Sequence, residues 1–103
     1  MAYLGYAIAI KMPEVFDIEN NKVEYDIAPN FLYNDSRIIE IVLNDHVRSI
    51  GTRAFSGTSI TSIYLPTSLS LIESSGFANC KVLEHIYFDQ DKQYMINLRS
   101  QAF

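Results

Sequence analysis

Apolar and polar positions alternate in short bursts along this chain, and the bursts recur. Ile41 and Leu43 flank Val42, and Ile63 and Leu65 flank Tyr64. That two-residue period is the mark of a strand with one face buried. Each burst is followed by a second apolar position (Val47, Leu69), a third (Ile50, Ile72) and a phenylalanine (Phe55, Phe77). The offset is 22 at all five positions. The pattern extends both ways. Leu83 to Phe88 repeats Ile60 to Leu65 at an offset of 23, and Leu98 to Phe103 parallels Ile50 to Phe55. Upstream, Ile27 to Phe31 carries a matching phenylalanine, and Ile10 to Pro13 resembles Ile63 to Pro66 and offers a first strand. The recurring phenylalanines are 31, 55, 77 and 103, spaced by 24, 22 and 26.

A period in the low twenties is too short for a unit that buries its own apolar face. Such units stack, and each contacts mainly the next. The pattern therefore predicts a solenoid of about four coils, an α/β repeat with parallel strands on one face and short helical turns opposite. The Ala-Phe segments supply those turns, with each phenylalanine pointing inward and stacked over the next.

Composition narrows the function classes. Of 103 residues, 49% are hydrophobic and 13% aromatic, enough apolar surface to exclude intrinsic disorder. The length fits one domain, residues 1–103. Eight Lys and Arg against twelve Asp and Glu give a net charge of −4. An acidic chain of this kind argues against direct nucleic-acid binding, which needs a basic surface to displace counterions. The longest apolar stretch, Met1 to Ile10, is about half the roughly 20 residues that cross a bilayer and lacks a basic leader. A cytoplasmic chain with no membrane segment is the expectation.

The run Ile-x-x-Ile-x-Leu-Pro-x-x-Leu, followed by Ile, then Ala-Phe or Gly-Phe, then Asn-Cys-x-x-Leu, resembles the BspA-like (treponemal-type) leucine-rich repeat. Ile60 to Leu83 is the closest copy and Ile38 to Ser59 a good one. The resemblance implies a short right-handed leucine-rich-repeat solenoid with its strands on the concave face. It divides the chain into a cap and degenerate coil (1–36), good repeats at 37–59 and 60–82, and a degenerate C-terminal coil (83–103).

Chemistry-bearing residues are sparse. The single cysteine, Cys80, sits where a turn enters the next strand, at the position of Thr58 and Asn34, and reads as a packed thiol. His46 lies in a loop after a strand and His85 on the outward face of the last one, so no shared metal site is expected. Asp17, Glu19, Glu24 and Asp26 cluster between the first two coils, and Asp89 and Asp91 follow the last strand. Neither set has calcium-loop spacing, and both read as solvated acidic loops. No phosphate-binding, nucleophile-elbow or zinc-protease motif occurs, so no enzyme, cofactor or metal is predicted.

Two surfaces stand out. If Ile41, Ile63 and Ile86 point inward, then Val42, Tyr64 and Tyr87 point outward in one row, continued by Lys11. The adjacent row is Ala9, Glu40, Ser62 and His85. Exposed tyrosines contribute contact area at low entropic cost. Glu40, Val42, Tyr64, His85 and Tyr87 are therefore the expected partner-binding residues, with another protein as partner. At the far end, Tyr94, Met95, Ile96, Leu98 and Phe103 either cap the solenoid or join two copies in a homodimer. The leading expectation is a small protein-binding inhibitor or adaptor, of the kind a phage or mobile element encodes. The second is a self-assembling structural protein.

Overall fold

The structure is a computed structural model and describes residues 7–88 and 96–103. Its strands are β1 (Ile8–Lys11), β2 (Tyr25–Ile27), β3 (Ile38–Val42), β4 (Val47–Ile50), β5 (Ser62–Leu65), β6 (Leu71–Ile72), β7 (His85–Phe88) and β8 (Asn97–Leu98). They fall alternately into two rows. β2, β4, β6 and β8 form one parallel sheet in that order, while β1 pairs with β3 and β5 with β7, also in parallel. β3 and β5 pack side by side without a strand ladder between them. The tie there is the Ser59 N–H, which donates to the Ile38 carbonyl at 2.8 Å.

The core is what the alternation requires. Ile41, Ile63, Leu43 and Leu65 are buried from the first row, Val47, Ile50, Leu69 and Ile72 from the second, and Phe55 and Phe77 from the third side. Neighbouring coils place like on like: Ile10 beside Ile41, Ile27 beside Ile50, and Ile63 beside Ile86. The last coil departs from this. Ile86, expected to point into the core, is 41% exposed, and Phe88 and Leu98 are similarly open.

The third side is built differently from expectation. No helix occurs among the described residues, and the Ala-Phe segments are chains of tight turns. Alternate N–H groups face the next coil. Phe55 donates to the Gly76 carbonyl at 2.9 Å, and Phe77 to the Ala102 carbonyl at 2.7 Å. The intervening ones close local turns, such as Ala54 onto the Gly51 carbonyl. A helix would send every N–H along its own axis, leaving none to bind the next coil. Left-handed residues enforce the pattern. Asn30, Arg53, Ser75 and Gln101 open the turns at φ near 60°, and Asn34, Gly57 and Asn79 close them. Asn and Gly reach that region most readily, which explains the composition of the second set.

This hydrogen-bond register corrects the first phenylalanine. Leu32 donates to the Ala54 carbonyl, so Leu32 holds the place that Phe55 and Phe77 hold in later coils. Phe31 lies one step off, 46% exposed, and meets the Phe55 ring edge-on at 6.4 Å. The same shift places Asn34 with Gly57 and Asn79, so that Asp35 rather than Asn34 is the first-coil counterpart of Thr58 and Cys80.

Candidate functional site

The outward side of the first strand row carries the expected residues in the expected register. Lys11 lies beside Val42, Ala9 beside Glu40, Ser62 beside His85, and Tyr64 beside Tyr87. Tyr64 and Tyr87 are 52% and 53% exposed. Strand geometry brings His85 and Tyr87 to one face, two residues apart, and their rings stack with centroids 5.9 Å apart and planes at 19°. Three aromatic rings from two paired strands thus form one surface. Val42 adds an exposed apolar group on β3. Ile39 adds a second one that the alternation did not foresee. The register slips between Ile8 and Ala9, so Ile39 has no partner on β1 and remains exposed.

The C-terminal end holds the second set. Leu98 and Phe103 are exposed and Ile96 is partly buried, while Tyr94 and Met95 lie outside the described residues. Residues 1–6, at the start of the expected N-terminal cap, and residues 89–93 also lie outside them. A cleft of about 360 Å³ opens between Phe77, Cys80, Leu83, Ile86 and Phe103. Cys80 is only partly buried rather than fully packed. Its thiol donates to the Phe55 carbonyl at 3.2 Å and lies 3.4 Å from the Thr58 hydroxyl.

The remaining polar groups serve the scaffold. Arg48 grips Asp26 through two bonds of 3.1 and 2.9 Å, and the Ser49 hydroxyl adds a third at 2.7 Å. These bonds hold the Asp26 carboxyl below its ordinary range. Arg37 does the same for Asp35. In Asp17 the backbone N–H of Asn21 leads the same effect. No group of three His, Cys, Asp or Glu side chains fit to hold a metal occurs among the described residues. No helix among them is long and apolar enough to cross a membrane.

Two residues that sequence reasoning left without a role organise the long connection from β1 to β2. Asn44 donates from its amide to the Met12 and Pro13 carbonyls, at 2.9 and 3.1 Å. His46 is 2% exposed, and its Nδ1 lies 3.3 Å from the Val15 nitrogen and 3.0 Å from the Val23 oxygen. One ring nitrogen therefore touches both arms of the insertion, and the tautomer decides which bond is made. The partners lie 23 to 32 residues away, beyond the reach of a pattern read within one coil. No sequence signal pointed to them.

The family model described as a BspA type leucine rich repeat region (6 copies) matches residues 25–103. That description counts six copies where the sequence pattern suggested four coils. No curated protein and no solved structure matches the chain. The match covers most of the chain and agrees with the stacked parallel strands: the chain belongs to the BspA-type leucine-rich repeat family.

Proposed function

We propose that this chain is a non-enzymatic protein-binding module that holds its partner against the outward side of the β1, β3, β5 and β7 row. Leucine-rich repeats generally act as interaction repeats, and this supports the class. The observation that carries the choice of surface is the Tyr64–Tyr87 pair, half-exposed on adjacent strands with His85 stacked beside it. Tyrosines in such a setting serve as anchors, with Glu40 and Val42 at the margin. The partner is another protein rather than a nucleic acid or a membrane. The excess of acidic over basic residues suits a cytoplasmic inhibitor or adaptor, of the kind a phage or mobile element encodes. Affinity capture followed by calorimetry on the recovered partner tests this. Replacing Tyr64 and Tyr87 by Ala should weaken binding by about thirtyfold. Unchanged affinity in that variant would exclude the tyrosine row.

A second reading is favoured by one further observation. Ile86, Phe88, Leu98 and Phe103 are 40–56% exposed, whereas their counterparts Ile63, Leu65, Ile72 and Phe77 are at most 4% exposed. Apolar side chains open at one end of a stack suit self-association, with Ile96, Leu98 and Phe103 at the contact. Light scattering at rising concentration tests it: a dimer that Leu98→Asp abolishes is expected, and a strict monomer excludes it.

A further inference from the structure

The connection from β1 to β2 departs furthest from the repeat. Β3 and β5 reach their following strands through four and five residues, but β1 reaches β2 through 13, Met12 to Glu24. Those residues fold into a small antiparallel projection. Phe16 bridges Lys22, and the Val23 N–H donates to the Val15 carbonyl at 2.8 Å. At its tip, Asp17 accepts from the Glu19 and Asn21 N–H groups, at 2.9 and 2.8 Å. At its base, His46 meets both arms and Asn44 binds the entering chain. The Phe16 ring stands edge-on against His46 at 5.1 Å.

This built projection holds apolar side chains in water. Ile18, at the tip, is fully exposed, and Phe16 and Val15 are 50% and 37% exposed. A chain that needed only to join two strands would bridge this gap with polar residues. The setting is also charged on one side. Glu14, Asp17, Glu19 and Glu24 lie on the projection and Asp45 beside its base, against one cation on it, Lys22, which lies 3.6 Å from Asp45 and 4.0 Å from Glu24. Five negative charges against one positive give −4, which is the net charge of the whole chain. The other charges are seven of each sign, so the net excess of negative charge lies on and beside this projection. An apolar tip on a segment rich in carboxylates complements apolar groups flanked by Lys or Arg.

We infer that the Met12–Glu24 projection is a second docking element, and that it takes a basic amphipathic segment of a partner protein. Ile18 and the outer sides of Phe16 and Val15 pack on the apolar seam of that segment. Glu14, Asp17, Glu19 and Asp45 meet its flanking cations. Preorganisation by His46 and Asn44 removes the entropic cost of ordering a free loop at binding. The inference does not rest on the tyrosine row, which lies on the outward side of the β1, β3, β5 and β7 row, where Lys11 and Glu40 offset each other in charge.

The probe is a short synthetic lysine–leucine amphipathic peptide, titrated into the full chain and followed by amide and methyl NMR. Shifts confined to residues 14–24 and Asp45 are expected, weakening as salt is raised. Ile18→Ser should weaken the affinity by about tenfold and Ile18→Leu should restore it. Because Ile18 is fully exposed, neither substitution disturbs the core. Three results would overturn the inference: shifts centred on Tyr64 and Tyr87, no shifts at all, or equal binding of a lysine–glycine peptide of the same charge. The last would reduce the contact to Coulomb attraction without the apolar tip.

Discussion

The rings of Phe55 and Phe77 lie 5.3 Å apart at 36°, each on its own coil and each essentially inaccessible to water. They begin an aromatic column that Phe103 extends, parallel to Phe77 at 5.1 Å. Neither coil can bury its phenylalanine alone. The contact therefore measures how firmly neighbouring coils are joined.

The column yields a graded prediction. Phe55→Ala should lower unfolding free energy by about 3–5 kcal/mol, as for a fully buried aromatic side chain. Phe31→Ala should cost less than about 1 kcal/mol, because Phe31 is half-exposed and stands outside the stacking register. Urea denaturation monitored by circular dichroism separates them. Equal costs would contradict the assignment of Leu32, rather than Phe31, to the first rung.

The turns make a second prediction. Ser75 adopts φ 61°, where a side chain carries a steric penalty that glycine does not. Its backbone N–H, which binds the Ser100 carbonyl, survives substitution. Ser75→Gly should therefore raise the unfolding free energy by about 0.5–1 kcal/mol. Gly57→Ala should do the reverse, since φ is 78° and an added Cβ would stand 2.9 Å from the Asn34 Cα. Thermal melting of the two variants checks the opposite signs.

The base of the projection makes a third. His46→Ala should cost about 2–3 kcal/mol, combining a cavity with the loss of a bond to a buried ring. It should also speed hydrogen exchange at Val15 and Val23, while the Phe55 and Phe77 amides stay protected. Exchange rising evenly over all coils would show that His46 supports the core rather than the projection.

The Asp26–Arg48 pair sets a fourth, in pH. Hydrogen bonds from Arg48 hold the folded carboxyl below its ordinary value of 3.8. The folded state therefore binds fewer protons than the unfolded one at the pH values between the two. The contribution is fully present above about pH 4 and is lost as pH falls through the depressed folded value. Both groups are about half-exposed, so the effect is small. Asp26→Asn should flatten part of the acid limb of Tm against pH, by lowering Tm slightly at neutral pH while leaving it nearly unchanged at the acid end, where the carboxyl is protonated in both states. An acid limb identical to that of the original chain would show the pair to be neutral.

How much of this was legible along the chain depended on the range of the interaction. Alternation within a strand is local, and the 22-residue offset is visible by eye. The registers of Tyr64 with Tyr87 and Val42 with Lys11 could be read before any coordinates. The same local view misread the Ala-Phe segments as helical. Alanine and phenylalanine do not reveal that Arg53, Ser75 and Gln101 turn left-handed, because the bonds that reward that conformation come from the next coil.

The sequence by itself determined that this chain stacks, because apolar residues at a fixed short period have no other way to leave water. It also determined which side chains face outward on the paired strands, since a strand's two faces alternate. Only the tertiary structure decided the rest: Leu32 in the first rung, the bulge that exposes Ile39, the opening of the last coil, and the projection pinned by His46 and Asn44. Each depends on partners a whole coil away, where small differences in loop length decide which backbone groups meet, and no periodicity in one dimension encodes that choice.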